Sequence, residues 1–236
     1  MKKIIKRISL TAATFVGLTM VSNISFANTS NVGIVGLFQV DNDIAFSQAL
    51  LDLQNSSGDM KCDVIRHGGI MQENGDLDIE KPNRFVVMSC ETEMLDNKDG
   101  RDFFTAIRSA SDDSYLIEGD MQNFAEDSST ASIQSRAYIL KVSHYNNVSP
   151  GRRDQDLEAI RKNTLSIPER YRREVFIQPH RAIGMSTPDE VAVLFYEDPA
   201  QGKHFRDNNP AILKQVGDFN DNHLEDYIYY FAQALK

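Results

Sequence analysis

An α+β fold made of two consecutive βαββαβ units is what this sequence predicts, on three observations. Several segments are apolar on both alternating faces, as strands covered from two sides are. Amphipathic stretches at helical spacing alternate with them. The strand-into-helix passage at residues 84–110 also recurs at residues 190–216. Phe38 and Ser143, Val87 and Ala192, and Ile107 and Ile212 are each 105 apart, whereas Val64 and Phe176 are 112 apart. A repeat interval of that kind marks an internal duplication.

In chain order, Val32-Gly33-Ile34-Val35-Gly36-Leu37-Phe38-Gln39-Val40 reads as the first strand. Asp41 or Asp43 then caps a helix with Phe46, Ala49, Leu50 and Leu53 on one face, ended by Ser56-Ser57-Gly58. Residues 62–71 and 84–92 form a hairpin across a loop rich in turn formers. Asp99 and Gly100 open a helix whose Phe103, Ala106, Ile107 and Ala110 share a face, and Tyr115 to Gly119 closes the unit as a fourth strand. This order is the ferredoxin-like arrangement.

The composition of residues 125–136 cannot bury enough apolar area to offset its ordering entropy and predicts a linker between repeats at 28–124 and 137–236. Beyond it, Ala137 to Tyr145 is a strand and Asp154 to Leu165 a helix with Leu157 and Ile160 inward. Arg173 to Met185 and Glu190 to Tyr196 form the second hairpin, and a helix follows near Pro210 to Val216. For residues 222–235 a helix is the favoured reading, with a strand as its competitor. Asn222 and Glu225 have capping-box spacing and Leu224, Tyr227, Ile228, Phe231 and Leu235 share a helical face, which favours a helix; the duplication and the run Tyr227 to Phe231 favour a strand.

Residues 1–27 read as a secretory signal peptide. Lys2, Lys3, Lys6 and Arg7 precede an apolar run, and Ser25-Phe26-Ala27 offers a cleavage point after Ala27. The run falls short of the roughly 20 residues that span a bilayer, so a periplasmic or secreted product is expected, with no membrane attachment after cleavage. Loss of those four basic residues takes the formal charge from −9 to −13. Residues 28–123 carry a net −11 and residues 137–236 a net −1. So acidic a chain argues against general binding to nucleic acid, which depends on clustered positive charge, and leaves a local anion site open. Cys62 and Cys90 flank the first hairpin, and an oxidising compartment permits either a disulfide or two buried thiols. No Cys/His spacing indicates a metal.

Val193-Leu194-Phe195-Tyr196-Glu197 followed by Phe205-Arg206-Asp207-Asn208-Asn209-Pro210-Ala211 resembles the antibiotic biosynthesis monooxygenase-like families of the dimeric α+β barrel superfamily. Those families present a hydrophobic strand ending in Tyr/Trp and Glu, then a helix with an aromatic residue, a His and a Ser/Thr-Pro step. Here Arg206 stands where the family often has His, with His204 two positions away. The resemblance implies tandem ferredoxin-like repeats closing an intramolecular dimeric α+β barrel, as a monomeric pseudo-dimer or a homodimer. It further implies a small apolar or aromatic ligand, quinone-type included, and cofactor-independent oxidation. Haem binding without turnover and a protein-contact scaffold are the alternatives.

Within that frame His144 is the candidate base, because imidazole exchanges protons near neutral pH. Alternation puts it on one face with Tyr138, Leu140 and Val142, facing a pocket between sheet and helices. Its counterpart Gln39 cannot act as a base, which favours the second repeat. His204 or Arg206 would orient substrate. His180, Tyr138, Phe195 and, in the first repeat, His67 would line the cavities, although Gly68-Gly69 beside His67 also fits a turn or bulge.

Overall fold

The computed structural model describes residues 31–60, 62–95, 98–124 and 132–235, without the side chains of residues 53, 56–60, 99 and 103. The leader with its cleavage point and most of the linker lie outside the described residues. The elements are β1 (Asn31–Gln39), α1 (Asp43–Met60), β2 (Cys62–Asp76), β3 (Arg84–Cys90), α2 (Lys98–Arg108) and β4 (Asp113–Asn123), then β5 (Ala137–Tyr145), α3 (Pro150–Leu165), β6 (Arg172–Ile183), β7 (Glu190–Tyr196), α4 (Pro199–Asn208), α5 (Pro210–His223) and β8 (Leu224–Ala234). A single 3₁₀ turn, Ile133–Ser135, precedes β5.

The eight strands close an antiparallel barrel in the order β1-β3-β2-β8-β5-β7-β6-β4. Each half contributes four strands in a matching order, β4-β1-β3-β2 and β8-β5-β7-β6, and the halves meet at two seams, β2–β8 and β4–β6. Closure explains the doubly apolar strands. One face packs into a barrel interior filled by Val35, Leu37, Phe85, Val87, Leu140, Val142, Val191, Val193 and their neighbours, and the other packs beneath the helices. Among the described residues the first half's sheet–helix layer is mostly apolar, with fourteen buried hydrophobic residues from Ile34 and Phe46 to Phe104 and Ile107 around one buried carboxylate, Glu118. The second half's layer has a cluster of three, Ile160, Phe219 and Leu224, and a separate contact of Tyr196 with Phe205.

The two hairpins carry a bulge at the same place. Ile65 is the extra residue of β2 between Val64↔Met88 and Arg66↔Val87, and Glu174 is the extra residue of β6 between Arg173↔Leu194 and Val175↔Val193. The seams match as well: Met71 bulges from β2 and His180 from β6, each residue inserted between two ladder pairs.

Several expectations are corrected. Residues 224–234 are a strand, not a helix, because β8 completes the wall between β2 and β5, with Ile228, Tyr230, Ala232 and Ala234 turned into the core. Helix α1 continues through Ser56-Ser57-Gly58 to Met60, and its cap is Asn42, whose Oδ1 accepts from the Ala45 amide at 3.1 Å. On α2 the inward residues are Phe104 and Ile107, with Ala106 exposed, and on α3 Ile160 points in while Leu157 is 41% exposed. An unanticipated helix, α4, precedes α5; Asp198 caps it by accepting from the Gln201 amide at 2.7 Å. Cys62 and Cys90 are direct partners across β2–β3 and form a disulfide. The glycines beside His67 are not themselves bulged; a Cβ on Gly68 would lie 2.2 Å from the Gln233 carbonyl oxygen, so glycine there admits the close approach of β8.

Candidate functional site

The polar groups of the second half converge on the end of β5. On the face turned toward the helices, Lys141, Ser143 and Tyr145 stand in a row where alternation in a strand requires them. Lys141 and Glu190, both buried, pair at 2.8 Å from Nζ to Oε1, and the Tyr145 hydroxyl donates to the other oxygen of Glu190. The Lys141 ammonium also lies 5.5 Å from the centre of the Phe219 ring on α5. The fully buried Ser143 hydroxyl makes no hydrogen bond to any described residue. Tyr229 of β8 donates to Asn220 Oδ1 at 3.2 Å, and Arg153 of α3 stacks 4.2 Å over Tyr145. Burial, reinforced by the Glu190 carboxylate, pushes the Tyr145 phenol far above its ordinary value, and burial does the same to Tyr229. Both remain hydrogen-bond donors through the physiological range.

Above this row α3 and α5 part to leave a cleft of about 250 Å³, lined by Arg152, Asp156, Ile160, Asp218, Phe219 and Asn222. Polar links bridge the two helices beside it: His223 Nε2 lies 2.8 Å from Asp156 Oδ2, and Asn163 donates to Gln215 at 3.0 Å. A second cavity of about 500 Å³ lies where the C-terminal end of α2 meets the start of β4, lined by Thr105, Arg108, Asp112, Asp113, Tyr115 and Gly184. Its lining contains no histidine and no buried charge pair.

His144 does share a face with Tyr138, Leu140 and Val142, but that face is the barrel interior, not the sheet–helix layer. At the barrel mouth its Nδ1 meets Asp226 Oδ1 at 2.5 Å and its Nε2 meets the exposed Ser186 hydroxyl at 3.2 Å. A base for a ligand held under the helices would have to project from the opposite side of β5. Tyr138 and Phe195 are core. Tyr138 is 1% exposed, its ring packs between Phe85 and Phe195, and its hydroxyl accepts from Arg66 at 3.0 Å. Arg136 lies 4.2 Å over Phe195. Arg66 and Arg136 both bind Glu174, the residue that the β6 bulge supplies.

His204 and Arg206 are exposed on α4, while Phe205 between them packs on Tyr171 and Tyr196. His180 lies near Glu93 and Glu118 at the β4–β6 seam. His67, half-buried on β2, has its pKa lowered from 6.5 by burial. The histidines expected to converge are therefore dispersed, on β5, β6 and α4, with different partners. The residues that do converge, Lys141, Glu190 and Tyr145, were legible in one respect. A lysine between Leu140 and Val142, inside a strand otherwise apolar on both faces, requires a buried partner.

A haem would need an axial ligand and a slot of matching size. The larger cavity offers no histidine, and the smaller falls below the roughly 300 Å³ at which pockets for drug-sized ligands begin. Neither of these two cavities, as lined by the described residues, fits the group.

No protein-family model matches the chain, and no curated protein does. Solved structures do. An anthrone oxidase-like protein aligns with 89% of this chain and 93% of its own at 11% identity, TM-score 0.56. A protein from Fusobacterium nucleatum subsp. nucleatum assigned as a monooxygenase aligns over 89% and 94% at 13% identity, TM-score 0.56. A chlorite dismutase variant from Candidatus Nitrospira defluvii aligns over 89% and 92% at 13% identity, TM-score 0.56. At these identities the likeness is one of fold, and the fold it shows is the dimeric α+β barrel.

Proposed function

We propose that this is an exported small-molecule-binding protein, built of tandem ferredoxin-like repeats, that takes a flat aromatic or quinone-type compound into the sheet–helix layer of its second half. The observation that carries the reading is the contrast between the halves. One layer is packed with apolar side chains, and its counterpart holds a buried Lys141–Glu190–Tyr145 chain under a cleft. Buried charge lowers stability relative to apolar packing, so a connected chain of three buried polar side chains beneath a cleft is explained by a ligand it serves. The matched bulges at Ile65 and Glu174 support the duplication. The anthrone oxidase-like name of one fold neighbour agrees with that substrate class.

In this reading a ligand ring parts α3 from α5 and stacks on Phe219, and its oxygen meets the Lys141 ammonium and the Tyr145 hydroxyl. For a hydroquinone ring Glu190 accepts a phenolic proton and Lys141 holds the phenolate; dioxygen takes two electrons from the ring and, with the two phenolic protons, leaves as hydrogen peroxide, giving the quinone. This step uses no cofactor. His144 takes no part in it.

Titration with a hydroxylated naphthoquinone, followed by calorimetry, tests the site. Tyr145→Phe should weaken binding about tenfold, for one lost hydrogen bond to the ligand, and His144→Ala should leave it unchanged. Wild-type affinity in both Tyr145→Phe and Lys141→Met, or loss on His144→Ala alone, would overturn the assignment. The export component is checked separately: N-terminal sequencing of the protein recovered outside the cytoplasm should begin at Asn28, and an intact Met1 terminus would refute cleavage.

A further inference from the structure

Glu118 is wholly buried on the helix-facing side of β4, where its β1 partner is Ile34. One carboxylate oxygen, Oε2, accepts from the Met94 and Leu95 amides at 2.6 and 3.0 Å. The other, Oε1, is shut off from solvent and accepts no hydrogen bond from any described residue. An ionised carboxylate in that position calls for a cation. What faces Oε1 is a ligand set: His180 Nε2 at 3.9 Å, with Glu93 Oε1 a further 3.7 Å from that nitrogen. One donor atom from each of the three side chains falls within 4.8 Å of the others.

From this geometry we propose that Glu93, Glu118 and His180 bind a first-row divalent cation, Zn²⁺ or Mn²⁺, at the β4–β6 seam. Donors about 2.1 Å from one tetrahedral ion lie about 3.4 Å apart, so the measured 3.9 and 3.7 Å would close by a few tenths of an ångström on binding. One imidazole with two carboxylates suits such ions better than Cu(I), which thiolates select. The described cysteines are in a disulfide and offer no competing thiolate. Glu93 and His180, 58% and 39% exposed, open the site to solvent, leaving room for water to complete the coordination sphere.

The backbone builds this arrangement deliberately. His180 is the inserted residue of the bulge between Glu118↔Arg181 and Gly119↔Pro179, and bulges re-aim the side chain they insert. The other seam has the same bulge between Ile70↔Ala232 and Gln72↔Phe231, but there it inserts Met71, 73% exposed, opposite Phe231. The geometry is common to both seams; donor side chains occupy one. A bound ion would tie the loop after β3, β4 of the first half and β6 of the second into one unit.

The test uses the mature chain, freed of metal by chelator and desalted, and titrated with Zn²⁺, Mn²⁺ and, for its visible spectrum, Co²⁺. One equivalent should bind, raise Tm, and give Co²⁺ bands characteristic of nitrogen–oxygen ligation. His180→Ala and Glu93→Gln, both at the surface, should each weaken binding at least tenfold and alter the Co²⁺ spectrum, while Met71→Ala changes neither. Absence of binding at millimolar metal, or binding and spectrum unchanged in both His180→Ala and Glu93→Gln, would overturn the proposal. Because the two surface variants retain Glu118, a folding failure of a Glu118 variant does not enter the decision.

Discussion

At Lys141 and Glu190 two charges sit in a layer that excludes water, each satisfied by the other and by a neighbouring ring or hydroxyl. Removing one leaves the second buried without its partner, a loss of about 3–5 kcal/mol where such pairs have been broken. His67 illustrates a milder form of the same effect. Burial lowers its pKa below 6.5, so the folded state prefers neutral imidazole. As pH falls through about 6.5 the unfolded chain takes up the proton first, and stability present above that value is lost until the folded ring protonates too. Tm should therefore decline between pH 7.5 and pH 5, and His67→Gln should flatten that decline. Parallel Tm–pH profiles for wild type and variant would show that His67 contributes nothing to it.

Among the elements, strands such as β1, β3 and β7 were readable because closure covers both of their faces and leaves near-continuous apolar runs, and the helices because their inward residues recur at helical spacing. What could not be read was the interval between corresponding residues of the two halves, which connection lengths set, the bulges being matched. Val87 faces the barrel interior and Ala192 does not; the residue that plays the part of Val87 is Val193, 106 positions on. Likewise Arg66 corresponds to Val175 across the matched bulges, an interval of 109 and not 112. A bulge leaves no mark in hydropathy, since the inserted residue can be Ile65, Met71, Glu174 or His180. For the same reason Glu93, Glu118 and His180 have no motif spacing, and the pairing of β4 with β6 supplies the proximity of the last two. Tyr145 and Glu190 were hidden similarly, because only the β5–β7 register sets Ser143 opposite Glu190 and brings the carboxylate to the next residue. For β8 the helical set Leu224, Tyr227, Ile228, Phe231 and Leu235 shares only Ile228 with the strand's inward set Ile228, Tyr230, Ala232 and Ala234, and pairing with β2 and β5 decides for the strand.

At the scale of the whole molecule, closure within one chain leaves no sheet edge unpaired, and β8 is the strand on which closure depends, since it alone joins β2 to β5. A chain ending at His223 would lose Ile228, Tyr230, Ala232 and Ala234 from the barrel core and expose two long ladders. Deleting a buried Ile costs about 2–5 kcal/mol by itself, and the aromatic residue about 3–5 kcal/mol. Together those losses rival the 5–15 kcal/mol that holds an ordinary domain folded. Two free edges with apolar inner faces are templates for pairing with another copy. The intact mature chain is accordingly expected to sediment as a monomer at micromolar concentration, and the chain cut after His223 to aggregate or to pair through its open edges. A truncated chain that stayed monomeric, with the circular dichroism and cooperative melting of the intact protein, would show that the wall of the barrel does not need β8.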